Sequence, residues 1–328
     1  MSTHTSPLDA DLPDMPAPTG PIAIIGAGSI GTAFAVVFAL AGRSVRLFDE
    51  TAAALATAPE RVKQIIADLR STGLTDVNPA EASSRIRCVE SLAETLEGAH
   101  YVQECAPENL PLKVELFARL DRLAGAEAVL ASSSSALMTS QFAASLPGAH
   151  RCLVVHPGNP PYLLRVVEVV PASFTDPRVV AASLALMREA GLQPIRVRRE
   201  LTGFVLNRLQ GAVLREAYCL VRDGVVSVEE IDQLMRDGLG LRWAVLGPFE
   251  TVDLNTRGGI MAHAEKLGPA YARMGAERGQ NDPWTPDLVS EVDRQRRQIL
   301  PLSDWGKRVQ WRDQMLMTLL RAKRNAQS

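Results

Sequence analysis

The stretch Pro21-Ile22-Ala23-Ile24-Ile25-Gly26-Ala27-Gly28-Ser29-Ile30-Gly31 decides how this chain folds. Ile22 to Ile25 is a short apolar run stopped by a glycine, the pattern of a buried strand. Ile30 to Ala41 is small and apolar over a helical length and is closed by Gly42, and Ser44 to Phe48 reads as a second strand. Strand, helix and strand with such connections form a parallel βαβ unit. Its first turn spells G-x-G-x-x-G directly after a strand and at the opening of a helix, the context that this otherwise weak motif requires. Gly26 permits the tight turn, Gly28 lets the backbone approach a pyrophosphate, and Gly31 lets helix and strand pack closely. Ser29 and Ile30 begin the helix, whose free N–H groups face the phosphates.

Asp49 ends the second strand, where a carboxylate accepts hydrogen bonds from an adenosine ribose and repels a 2'-phosphate. Glu50 and Thr51 follow, with no Arg or Lys to reverse the preference, so the expected cofactor is NAD rather than NADP. Asp49 can also cap the following helix, and the two roles are compatible.

Outward from this unit, strands are expected at Ile86–Val89, Tyr101–Glu104, Val129–Ser132, Cys152–Val155, Val166–Val170 and Pro194–Val197, with helical patterns between the earlier ones, notably Leu110–Leu123. That alternation predicts an α/β fold with a doubly wound, Rossmann-type sheet over residues 21–198. Past Arg199 the long amphipathic run Phe204–Val221 and Val228–Met235 predict an all-helical domain over residues 199–328. Residues 1–20, rich in Pro, Thr, Ser and Asp, are expected to be a disordered tail.

The chain has 328 residues, which suits two domains. A formal net charge of -2 gives no footprint for nucleic acid or an anionic membrane. No apolar run approaches the roughly 20 residues that span a bilayer, and no secretory signal opens the chain, so the cytoplasm is the expected location. Cys88, Cys105, Cys152 and Cys219 are too scattered for a metal knuckle and read as reduced thiols, so no metal is expected.

The chemistry concentrates after the fifth strand. His156 closes an apolar run and precedes a rigid loop, Pro157-Gly158-Asn159-Pro160-Pro161-Tyr162. Glu168 is lodged in the apolar return strand, where a carboxylate is costly without a partner. The pair explains both residues: Glu168 accepts the proton on one ring nitrogen and leaves the other free as a base. The run Ser132-Ser133-Ser134-Ser135 lies at the carboxyl end of a parallel strand and faces the ligand crevice. Asn207 stands near the start of the long helix opening the second domain.

Taken together, Gly26–Gly31, Glu104-Cys105-Ala106-Pro107-Glu108-Asn109, His156–Tyr162 with Glu168, and Gly203–Leu209 resemble the 3-hydroxyacyl-CoA dehydrogenase superfamily. The nearer resemblance is to its lambda-crystallin branch, which includes L-gulonate 3-dehydrogenase. It extends to the serine run with Ala136-Leu137-Met138, to Gly238–Arg242, to Gly247–Glu250 and to Gln310–Met317. The resemblance implies that His156 is the general base, Glu168 its partner, and Ser135 and Asn207 the groups that hold the substrate oxygen. It also implies that Ala106, Glu108, Lys113, Ser133 and Asn159 lie at the cofactor, and that a homodimer forms through the helical domain.

The activity so implied is NAD-dependent oxidation of a secondary 3-hydroxyl on a small free hydroxy acid, of L-gulonate type or related, to the 3-keto acid. CoA thioesters carry phosphates that want Arg and Lys, yet residues 51–84 offer Arg61, Lys63 and Arg70 before the closing Arg85. A free carboxylate needs one cation, for which Arg242 is the candidate. The alternatives are a 3-hydroxyacyl-CoA or carnitine-type dehydrogenase and a non-catalytic NAD-binding protein of crystallin type.

Overall fold

The computed structural model describes residues 11–244, 247–255, 259–279, 287, 291, 293–294 and 301–327. Eight strands, β1 Ile22–Ile25, β2 Val45–Phe48, β3 Ile86–Cys88, β4 Tyr101–Glu104, β5 Val129–Ser132, β6 Cys152–Pro157, β7 Val166–Pro171 and β8 Gln193–Arg196, form one sheet. Their order is β3-β2-β1-β4-β5-β6-β7-β8. Only β6 and β7 run antiparallel to each other. The chain winds outward from β1 to β3 and then restarts at β4 on the other side of β1. That reversal is the switch point where open α/β sheets bind ligands.

Register fixes what emerges there. Ile25 lies opposite both Phe48 and Glu104, and Glu104 lies opposite Ser132. The residues just past these ends, Gly26, Asp49, Cys105 and Ser133, therefore leave the sheet along one edge. Both faces of the sheet are covered. Ile22, Ile24, Val45, Leu47 and Tyr101 pack on one side with Phe34 and Phe38 of helix α1, Ser29–Leu40. Ala23, Ile25, Phe48 and Val102 pack on the other with Leu116, Phe117 and Leu120 of the helix Leu110–Leu123. Helix α2, Ala52–Ser71, continues through Pro59. Proline cannot donate to the carbonyl four residues back, and the Cys88 thiol donates to that Leu55 oxygen instead, at 3.8 Å.

The chain divides into two compact units, one comprising Met1–Arg208 with Trp311–Ser328, the other Leu209–Gln310. The second contains the helices Val228–Leu234, Gly240–Trp243, Pro248–Asn255 and Gly259–Arg278, with no strand among its described residues. The division departs from the expected boundary at 198/199 at both ends. Residues up to Arg208 stay with the sheet because the turn before Leu206 serves Glu168. The end of the last helix, Trp305–Gln327, returns because Met317 and Leu320 pack on Val62, Ile66 and Leu69 of α2 and on Leu163.

The expected disordered tail also needs correction. Asp11 pairs with Arg196 at 2.5 Å, Leu12 and Ala17 pack on the core, and Arg43 donates to the carbonyls of Pro18 and Gly20. Residues 1–10 lie outside the described residues. No helix among the described residues is long and apolar enough to cross a membrane.

Candidate active site

The glycine loop has the geometry that its sequence demands. Gly26 sits at φ +107°, where a Cβ would lie 2.7 Å from the Cys105 carbonyl oxygen, and a Cβ on Gly31 would collide with the Gly26 carbonyl. Around Gly28 there is nothing within 4 Å of a Cβ position, so the backbone is open to approach there. Gly28 caps α1 without any side-chain acceptor, which leaves the first N–H groups of the helix to a ligand. A cavity of about 530 Å³ opens over the loop, lined among others by Gly28, Ile30, Asp49, Glu50, Ala106 and Arg119. These features fit a dinucleotide, which Gly28–Ile30 would hold by its pyrophosphate and Asp49 by its ribose.

Asp49 also has a task within the chain itself. One carboxylate oxygen accepts from Ala27 N and the other from Thr51 N, each at 2.7 Å. It thus ties the glycine loop to the start of α2. Arg61 on α2 donates to the Ala27 carbonyl from the other side.

His156 and Glu168 are register partners on β6 and β7. His156 Nδ1 lies 2.8 Å from Glu168 Oε2, and both residues are buried. The other oxygen, Oε1, accepts from the backbone N–H groups of Val205 (2.7 Å) and Leu206 (3.0 Å). Burial pushes the Glu168 carboxyl up, but hydrogen bonds from His156 and from these two amides outweigh it and hold the group below the usual carboxylate range. An ionised Glu168 can only accept, so Nδ1 carries the proton and Nε2 of neutral His156 is a free base. Leu206 opens the helix Leu206–Arg222, so Glu168 also serves as the anion at that helix start. The approach is a tight turn with Gly203 at φ +75° and Phe204 at φ +46°, a conformation that a non-glycine residue holds only under strain. Phe204 is fully buried, its ring centroid 5.6 Å from that of His156.

Next in the same helix, Asn207 donates from Nδ2 to the Ser135 carbonyl at 2.8 Å. Ser135 is exposed at the end of the serine run. Glu108 organises that run: its carboxylate accepts from Ser134 Oγ (2.5 Å) and from the backbone N–H groups of Ser135 (3.2 Å), Ala136 (3.0 Å) and Leu137 (3.0 Å). Burial opposes ionisation of Glu108, but the bonds from Ser134 and the three amides prevail and lower its pKa. The structure thus brings His156, Glu168 and Phe204 into one contact group, and Ser135, Asn207 and Glu108 into another.

Other expected contacts are placed differently. Lys113 is fully buried, and Glu104 Oε1 and Oε2 (both 2.9 Å) and the Ala106 carbonyl (3.3 Å) take up its three donors. It holds Glu104 and has no donor left for a ribose. Ser133 Oγ donates to the Glu104 carbonyl at 2.9 Å, and Ala106 N donates to Glu104 Oε1 at 2.6 Å while Ala106 lines the cavity. Asn159 is exposed on the loop between β6 and β7. Arg242 is exposed on the helix Gly240–Trp243 of the second unit.

Sequence reasoning missed Glu104 as a hub. It ends β4 fully buried, accepting from Lys113, Ala106 N and Ser132 Oγ (2.6 Å). A carboxylate closing a strand nine residues before a helical lysine was the available signal. The turn at Gly203 and Phe204 was missed too: the helical run was expected from Phe204, whereas the helix begins at Leu206. Among the described residues no group of three or more His, Cys, Asp or Glu side chains could hold a metal ion.

Comparison with known proteins agrees with this geometry. Residues 21–201 match the family described as 3-hydroxyacyl-CoA dehydrogenase, NAD binding domain, and residues 203–299 match its C-terminal domain. Lambda-crystallin of Oryctolagus cuniculus is 37% identical over 312 residues, covering 94% of this chain and 98% of that protein. L-carnitine dehydrogenase of Pseudomonas aeruginosa is 39% identical over 275 residues, covering 82% of each. Among solved structures, an NAD+ dependent dismutase, 5-formyl-3-hydroxy-2-methylpyridine 4-carboxylic acid 5-dehydrogenase, superposes with a TM-score of 0.75 at 25% identity, over 92% of this chain and 97% of that one. A 3-hydroxyacyl-CoA dehydrogenase of Archaeoglobus fulgidus gives 0.66 at 28% identity, over 84% and 87%. With a glycine loop shaped for NAD and both family domains matched in order, the chain belongs to the 3-hydroxyacyl-CoA dehydrogenase family.

Proposed function

We propose that this protein is an NAD-dependent dehydrogenase that oxidises the 3-hydroxyl of a small free hydroxy acid, of L-gulonate type or a near chemical relative. The observation that carries the reading is the chain of contacts from His156 through Glu168 to the amides of Val205 and Leu206. It leaves His156 Nε2 as the acceptor for the hydroxyl proton and stabilises the imidazolium that results. Bound NAD would supply the hydride acceptor at carbon 3. Ser135 Oγ and Asn207 are the groups to hold the oxygen as it becomes a carbonyl. A purely structural role would have no physical need for a buried His–Glu pair so arranged.

Several observations favour a free acid over a CoA thioester. Arg61 is committed to the glycine loop, so only Lys63 and Arg70 remain as exposed cations on α2 for phosphates. One of the relatives is named for L-carnitine rather than for a CoA thioester. Arg242 is the proposed carboxylate partner. It follows a π-helical turn at Met235–Leu239, a distortion often found at functional sites. The helical unit also exposes Leu209, Leu234, Leu241, Phe249 and Met261, apolar side chains that a second copy would cover in the proposed homodimer. A monomeric mass in solution would remove that part of the reading.

The test is NADH formation over a panel of free 3-hydroxy acids, L-carnitine and 3-hydroxyacyl-CoA thioesters, with wild type and His156→Ala. Turnover of a free acid that falls about 10²–10⁴-fold in the variant, with NAD binding retained, is the expected result. Preference for the thioesters would overturn the substrate class. Undiminished turnover in His156→Ala would overturn the mechanism.

A further inference from the structure

The mouth of the NAD cavity carries a cation that the local sequence does not reveal. Arg119 lies on the helix Leu110–Leu123, about seventy residues from the end of β2, and lines the same cavity as Asp49 and Glu50. Its guanidinium forms an ion pair with Glu50 at 2.5 Å. The two carboxylates at this mouth have unequal freedom. Asp49 is already bound to Ala27 N and Thr51 N and holds the glycine loop in shape. Glu50 has Arg119 as its charged partner and is 60% exposed on its side chain, with Arg119 at 35%.

We propose that Glu50 is the cofactor-specificity determinant of this chain, and that it acts by occupying Arg119, a latent receptor for the 2'-phosphate of NADP. A guanidinium is the natural partner of a phosphate dianion because its N–H donors can bind two oxygens at once. While Glu50 holds Arg119, a 2'-phosphate arriving beside Asp49 meets two carboxylates and a cation already neutralised. Removing the Glu50 charge deletes one repulsion and frees the cation. Asp49 is the wrong place to change cofactor choice, since its loss would loosen the loop under either dinucleotide.

The test is fluorescence titration of the full chain with NADH and with NADPH, read as the ratio of the two Kd values. Glu50→Gln, with Glu50→Ser in parallel, should shift that ratio toward NADPH on the order of tenfold, the worth of one phosphate–guanidinium contact discounted for exposure. In the double variant E50Q/R119M the shift should shrink to the smaller part that the lost Glu50 repulsion alone supplies. Asp49→Asn should weaken both cofactors together. Thermal melting guards against misfolding, which is not expected at an exposed glutamate and a part-exposed arginine. An unchanged ratio in both Glu50 variants overturns the proposal. So does a shift that survives undiminished in E50Q/R119M, because Glu50 would then act by its own charge alone. A shift toward NADPH in Asp49→Asn larger than that in Glu50→Gln would move the role to Asp49.

Discussion

Replacing Glu168 by Gln separates the two duties of this buried carboxylate. Glu168 Oε1 serves the amides of Val205 and Leu206, and Oε2 serves His156 Nδ1 at 2.8 Å. A glutamine in the same place can keep its carbonyl on the two amides, so the helix start survives. Its NH₂ then faces Nδ1, which must become the acceptor. The imidazole proton moves to Nε2, and the base is lost while the geometry stays. The expected loss in kcat is about 10³–10⁴-fold, the scale seen when a carboxylate behind a catalytic histidine becomes an amide. The stability cost should be that of weakened charge-assisted hydrogen bonds, about 1–3 kcal/mol. Glu168→Ala reverses the balance. It takes the acceptor from two part-buried N–H groups, for about 1–3 kcal/mol each at most, but leaves His156 free to choose its tautomer. So E168A should melt lower than E168Q and yet turn over no more slowly. The assay is NADH absorbance under saturating acid, with a thermal melt of each variant. If E168Q kept more than a tenth of kcat, or if H156A/E168Q fell by the product of the two single losses, His156 and Glu168 would not act as one unit.

Other predictions follow from the same geometry. Gly28→Ala should fold normally, since its Cβ meets nothing, but bind NAD weakly, whereas Gly31→Ala should lower the melting temperature because its Cβ strikes the Gly26 carbonyl. Melting and NADH titration of the two variants distinguish these outcomes. Lys113→Met should cost about 3–5 kcal/mol in a denaturant melt, because it strands the Glu104 carboxylate in the interior. Glu108 and Glu168 both ionise below the usual carboxylate range in the folded chain. Their stabilisation is therefore complete above the ordinary value of about 4.3 and is lost as pH falls through the lowered values. Melting temperature should drop through that acid window, and drop less in E108Q/E168Q.

Strands β1, β4 and β5 and the helix Leu110–Leu123 fall where the sequence placed them, β1 as an apolar run between Pro21 and Gly26 and the helix behind its capping Asn109. The strand β8 shifts by one residue, to Gln193–Arg196, since Pro194 inside it obscures its start. His156 and Glu168 were legible as a pair because a charge among valines needs a partner. What the second oxygen of Glu168 binds was not legible, because backbone amides leave no mark on side-chain pattern. Lys113 entered only through the resemblance, as a residue at the cofactor, and nothing in its helical pattern shows that the sheet puts Glu104 beneath it. Arg119 was invisible for lack of any local clue, since it lies on a helix and its partner Glu50 lies past the distant end of β2. Residues 11–20 looked unstructured by composition, yet Asp11 and Leu12 find partners on a surface built from distant parts of the chain.

The last helix gives synthesis a particular order. Met317 and Leu320 complete the hydrophobic cluster that seats α2 beside the glycine loop. A nascent chain can emit the whole nucleotide-binding sheet, and then the hundred or so residues of the helical unit, before those two side chains leave the ribosome. Until then the seat of α2 stays open to water or to chaperones. The seat of α2 is therefore completed only by residues that follow the helical unit in the chain, and a nonsense codon near position 310 would damage the part of the molecule made first.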